Sequence, residues 1–243
     1  MKRFLGWWAL AVVIGFNARA GAQTPEEPAA APTVGDVGHW AISLDRLFGF
    51  DYARDTLSMG GVDQPTVSAT SFSLFSNREA AALSAFSFPR AAVDVFVAPG
   101  LSLGTSFGVV YGSEAMTPIG GTAASVSVTG ITVAPRIGYV AHLTPSLSFW
   151  PRAGISVIYV SSSPSGTAAA GAVEESQTSH LVAATVEAPF IFTIAPRVAF
   201  TFGPTFDMSF SGKQSVTLTG YGTNTVDERV LEIGAQAGFV ITL

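Results

Sequence analysis

The 243-residue chain has no cysteine, which excludes disulfide scaffolds and thiolate metal sites together. Charge is scarce: Asp, Glu, Lys and Arg make up 12% of residues, about half the usual globular share. What charge exists runs acidic, 17 Asp and Glu against 12 Lys and Arg. An acidic surface draws in neither nucleic acid nor an acidic substrate. There are only three histidines, and no P-loop, dinucleotide fingerprint or metal-ligand spacing, so neither cofactor nor metal is expected. Although 48% of residues are hydrophobic, no stretch after the N-terminus matches the about 20 apolar residues of a membrane helix. A chain this greasy must hide its apolar side chains some other way.

The N-terminus "MKRFLGWWALAVVIGFNARAGAQ" has the layout of a secretory signal peptide. Lys2 and Arg3 form the basic end, Phe4 to Phe16 the apolar run, and Ala20-Gly21-Ala22 the cleavage site. Residues 1–22 are therefore expected to be removed, leaving nine basic residues against 17 acidic ones. Gln23 follows the site, not the cysteine that a lipid anchor needs. Residues 23–38, "QTPEEPAAAPTVGDVG", read as a flexible Pro/Ala-rich leader, and 39–243 as one domain.

From residue 39 onward apolar and polar residues alternate with period two. In "LSLGTSFGVVY", Leu101, Leu103, Phe107, Val109 and Tyr111 share one face, opposite Ser102, Gly104, Ser106 and Gly108. The glycines at 100, 104, 108 and 112 also spell a helix-dimer motif, but Pro99-Gly100 opens the segment as a turn and alternation favours a strand. The same test predicts eight strands, near 39–52, 84–98, 101–112, 124–141, 146–161, 178–194, 197–211 and 227–243. Pro99-Gly100, "HLTPS" and "AP" make tight connections; 53–83, 113–123, 162–177 and 212–226 are longer and polar. Tight turns at one end and polar loops at the other predict an all-β, eight-stranded antiparallel up-and-down transmembrane β-barrel in the Gram-negative cell outer membrane. Trp40, Tyr52, Tyr111, Tyr139, Phe149, Tyr159 and Phe210 suit interfacial girdles. The segment 66–76, "TVSATSFSLFS", reads as an outward extension of the second strand.

Pro-Arg pairs recur in "FSFPRAAVDVFV", "ITVAPRIGYV", "FWPRAGISVIYV" and "TIAPRVAFTF". In the first three, parity sets the arginine on the small, polar face, and a lipid-facing arginine at the bilayer midplane would cost roughly 2–4 kcal/mol. The acids follow the same parity. An internal charge network of Arg90, Arg136 and Arg152 with Asp45, Asp94, Glu187, Asp207 and Glu232 is expected in a lumen filled by its own side chains. Two features resist: the prolines remove ladder hydrogen bonds, and Arg46 falls on the apolar face, where it needs a bulge or a snorkelling position.

The hairpin "PRAAVDVFVAPGLSLG", the charge cluster and the final strand "LEIGAQAGFVITL" resemble the small outer-membrane barrels of the OmpA transmembrane-domain and OmpX type. Leu243 departs from that family's terminal phenylalanine. The resemblance implies a monomer among outer-membrane lipid and lipopolysaccharide, inserted by the barrel-assembly machinery through its last strand, with a structural or surface-interaction role. A porin-like or OmpW-like conduit for small or hydrophobic solutes is the alternative. Ser179, His180 and Glu187 could be imagined as a hydrolytic set at the outer rim, but neighbours in a strand point to opposite faces, so no enzyme is expected. Glu174 and Glu175 read as a solvated loop.

Overall fold

The computed structural model describes residues 34–63, 66–74, 86, 88–116, 124–165, 175–218 and 222–243. The expected signal peptide, 1–22, and most of the expected leader lie outside the described residues. The leader's last residues, 34–38, are not a free linker. Gly38 N–H donates to the Phe96 carbonyl at 2.8 Å, and Gly35 accepts from Gly100 N–H at 3.0 Å.

Eight antiparallel staves close into a barrel. The first is β1 (Trp40–Met59), with β2 (Val62–Asp63) folded back on its tip. The second is made in two pieces, β3 (Val67–Leu74) and then β4 (Arg90–Ala98). The third is β5 (Leu101–Met116); the fourth is β6 (Ala124–Tyr139) running on into β7 (Ala141–Thr144). The fifth joins β8 (Leu147–Phe149) to β9 (Arg152–Ser165), and the sixth β10 (Glu175–Glu187) to β11 (Phe190–Ala195). The seventh is β12 (Val198–Leu218), and the eighth, β13 (Gly222–Thr242), pairs back onto β1.

Alternation dictates which way each side chain points. Leu44, Phe50, Val109, Ile131, Ile155, Phe206 and Ile233 stand outward and exposed, forming an apolar belt. Tyr52, Tyr111, Tyr159 and Phe210 edge the belt toward the loop end, and Trp40 and Tyr139 toward the tight-turn end. The staves run past the belt: β1, β5, β9 and β12 reach residues 59, 116, 165 and 218, so much of the sequence expected as loop continues the wall.

The tight turns need left-handed backbone. Gly100 has φ +73°, and a Cβ there would meet the Val140 carbonyl at 2.6 Å. The fourth Pro-Arg pair is such a turn, with Arg197 at φ +71° between β11 and β12. The other three prolines sit where ladders break. Pro151 separates β8 from β9, Pro89 precedes β4, and beside Pro135 the β6–β9 register passes from Val133↔Val157 to Arg136↔Gly154. The register is unchanged across that gap, so one imino nitrogen is accommodated without a bulge.

The interior is layered. Near the tight turns, Ala41, Phe96, Val140, Trp150, Ile191, Ala199 and Val240 pack together as an apolar floor. Further up, Phe86, Ile158, Leu181, Ala183 and Val230 form an apolar ceiling. The polar side chains lie between the two. Small residues make the room: a Cβ on Gly138 would fall 2.6 Å from Trp150 Nε1.

The second stave follows the expected outward extension with one departure. β3 pairs with β1 through Phe48↔Leu74 to Asp55↔Val67, directly above the β1–β4 ladder, Trp40↔Val95 to Asp45↔Arg90. Between these pieces Phe86 and Phe88 are buried. Among the described residues, β5 above Gly108 pairs only with β6, which leaves a seam between β3 and β5 at the loop end.

Candidate functional site: the charged lumen

The site begins at a bulge. Between Leu44 and Phe48 the β1–β13 register shifts, and Arg46 takes φ +58°. The extra backbone rotates Arg46 off the apolar face, so it enters the lumen beside Asp45 and is 2% exposed. Snorkelling, the other option open from sequence, does not occur.

Arg46 then holds two carboxylates, Glu187 Oε1 at 3.0 Å from Nη2 and Asp207 Oδ2 at 2.9 Å from Nη1. It also donates to the Phe86 carbonyl at 2.6 Å, which ties Phe86 to the centre. Arg136 grips Asp94 with two donors, Nη2 at 2.5 Å and Nε at 3.1 Å, and reaches Asp45 at 2.6 Å. Arg152 bonds Glu187 at 2.8 Å and Asp45 at 3.3 Å, and its guanidinium lies 4.8 Å from the Trp150 ring centroid. Trp150 donates its indole N–H to Ser102 Oγ at 3.1 Å.

The pairs make one chain, Asp94–Arg136–Asp45–Arg152–Glu187–Arg46–Asp207, crossing the lumen from β4 to β12. Arg90 joins through Ser156 Oγ and the Phe86 carbonyl, both at 3.3 Å. Thr185 donates to Asp207 at 2.6 Å. Glu232 is buried directly across the β12–β13 ladder from Asp207.

Parity alone did not supply Arg46, nor Asp51, which accepts from Gln236 Nε2 at 2.5 Å. For Arg46 the signal was its disagreement with parity beside Asp45. Asp51 shares the parity of the inward side chains, but sat too near the expected strand end to be counted.

Charges taken out of water survive only when opposite charge and hydrogen bonds replace hydration. The alternating chain meets that condition and leaves little space. Two cavities lined by described residues beside it measure about 20 and 10 Å³, the larger sufficient for about one water molecule. Among the described residues the layer is closely packed by its own side chains. Ser179, His180 and Glu187 are not brought together. Ser179 donates to Glu228, His180 stands outward with its ring 4.7 Å from Tyr159, and Glu187 belongs to the lumen chain. Glu174 lies outside the described residues.

Above the ceiling, a second acidic pair faces inward. Glu228 is buried, and its strand neighbours Asp227 and Arg229 are exposed outward, which places it beyond the apolar belt. Burial pushes its carboxyl up to about 7; nearby Asp55 adds to the rise, and the Ser179 hydrogen bond offsets part of it. Burial also raises Asp55, against the Thr56 backbone hydrogen bond that lowers it.

The fold is similar to that of the outer membrane protein AlkL, whose structure was determined by solid-state NMR in DMPC lipid bilayers. The two are 12% identical over 91% of this chain and 97% of that one, with a TM-score of 0.53. OprG from Pseudomonas aeruginosa matches at 11% identity, over 85% of this chain and 96% of its own, with a TM-score of 0.44. A major outer membrane protein from Thermus thermophilus matches at 12% identity, over 80% and 99%, with a TM-score of 0.44. No family model and no curated protein matches the chain. The likeness to AlkL establishes the fold, an eight-stranded transmembrane barrel.

Proposed function

We propose that the chain is a structural or surface-interaction barrel of the bacterial outer membrane, with a lumen shut against solutes. The outward apolar belt with its aromatic edges supports the membrane setting. The observation that carries the sealed lumen is the stack of apolar floor, ion-pair chain and apolar ceiling. The polar ends of the staves beyond the belt then become the working surface for partners. The C-terminal strand, with Ile233, Phe239, Ile241 and Leu243 outward, suits docking on the barrel-assembly machinery. The barrel acts as a monomer, without cofactor or catalysis.

A conduit for hydrophobic solutes is the second reading, favoured by the seam between β3 and β5. Such a route runs sideways from above the ceiling into lipid, since the axis is blocked. Planar-bilayer recordings of refolded protein test the first reading, which expects no steady current. Sustained open-pore conductance overturns the sealed lumen, and uptake of an apolar dye into vesicles without ion current favours the lateral route.

A further inference from the structure

The outward face just above the apolar belt differs between the two halves of the ring. On β3, β5, β6 and β9 it carries Thr70, Ser113, Thr129 and Ser161. On the four contiguous staves β10, β12, β13 and β1 it carries His180, Lys213, Arg229 and Arg54, all exposed. The register brings them close: His180 pairs with Lys213, Lys213 with Asp227, and Arg229 with Thr56, two residues beyond Arg54. Diagonal partners of this kind lie roughly 7–8 Å apart, within reach of long side chains.

The concentration goes against the composition. Of the chain's 12 Lys and Arg, Lys2, Arg3 and Arg19 precede the expected cleavage site, and Arg46, Arg90, Arg136 and Arg152 are buried in the lumen. The remaining five are Arg54, Arg78, Arg197, Lys213 and Arg229, and three of them fall in this one sector of an acidic protein. Asp227 lies inside it and offsets part of the charge of Lys213. Directly beneath stand Tyr52 and Phe210, exposed at the top of the belt.

Arginine and lysine at such a margin lay their stems on apolar surface and extend their heads to headgroup depth. There the anions are phosphates, which a guanidinium fork binds with two parallel hydrogen bonds. We propose that Arg54, Arg229, Lys213 and His180 form a binding sector for the phosphate groups of an outer-leaflet phosphorylated glycolipid. Its acyl chains lie on the belt below. This rests on the outer-membrane reading above. The occupant is a lipid and not a soluble anion, because the sector is a shallow arc that acquires depth only when acyl chains fill the space beneath it.

The test titrates diphosphoryl lipid A into phosphatidylcholine nanodiscs holding the full chain, after a heat-modifiable gel shift has shown insertion. Without that shift the outer-membrane reading itself fails. With it, the combined Arg54→Gln, Lys213→Gln and Arg229→Gln variant should bind about 100-fold more weakly, at roughly fivefold per surface cation. Asp227→Asn should bind more tightly, and dephosphorylated lipid A should not distinguish wild type from the triple variant. Equal affinity of wild type and triple variant overturns the proposal, as does displacement by equimolar inorganic phosphate. Should the triple variant not fold, salt dependence decides: wild-type affinity must fall as salt rises, and a flat response overturns the sector equally.

Discussion

Asp45 and Arg46 are consecutive in one strand, yet both side chains point into the lumen. The bulge that permits this also marks where β1 exchanges β4 for β3 as its neighbour. One irregularity thus sets the central cation and the join of the two-piece stave.

Replacing Arg46 by Leu takes the ion-pair partner from buried Asp207 and leaves Glu187 with Arg152 and the more distant Arg136. Removing one partner of a buried pair costs about 3–5 kcal/mol. Urea unfolding of the variant refolded into lipid vesicles should show a loss of that size. A change within error would mean that the acids have other support.

Arg136→Leu should be at least as damaging, because its guanidinium serves Asp94 and Asp45 together. Combining it with Asp94→Leu should restore part of the loss, since a buried pair replaced on both sides can be close to neutral. Strictly additive losses would contradict a direct coupling.

Phe86→Ala empties a fully buried site in the ceiling. The expected cost is about 3–5 kcal/mol, read from the midpoint of unfolding. Limited proteolysis should also cut faster between β3 and β4, where the Phe86 carbonyl holds Arg46 and Arg90.

Glu228 gives a pH dependence. Its folded carboxyl titrates at about 7, above the 4.5 of an unperturbed glutamate, so over that range the folded state binds more protons than the unfolded one. Its contribution to stability is greatest at and below pH 4.5 and is lost as pH rises to about 7. Glu228→Gln should flatten the thermal-stability profile across that window and melt higher than wild type at pH 8. A variant profile with the wild-type slope would remove Glu228 as the cause.

The belt was legible because lipid and lumen impose opposite demands on alternate residues, and "LSLGTSFGVVY" carries both. Beyond the belt that contrast fades. "SGKQSVTL" and "GTNTVDE" look like loop because they carry no apolar period, yet they pair from Lys213↔Asp227 to Leu218↔Gly222, since a ladder beyond the lipid needs none. An extra residue near position 210 in β12 also flips its parity, so that Gln214 faces inward where an unbroken strand would turn it out. Arg46 hid for the same reason: a period-two reading cannot foresee where the count slips.

Apart from Arg152–Glu187 on adjacent β9 and β10, the ion-pair chain connects staves that are not neighbours in the wall. Arg152 on β9 reaches Asp45 on β1, diametrically opposite in the ring, and Arg136 on β6 reaches the same acid past two intervening staves. The β9–β10 hairpin can pair Arg152 with Glu187 on its own, but no hairpin brings Asp45, Arg46, Asp94, Arg136 and Asp207 to their partners. Asp45 and Arg46 on the first stave reach Arg152, Glu187 and Asp207 on the fifth to seventh only when the sheet curls round on itself, which ties their neutralisation to closure of the ring. A register slipped by two residues would keep every apolar side chain facing out, yet would misalign those partners, so the electrostatics reject an error to which the grease is blind.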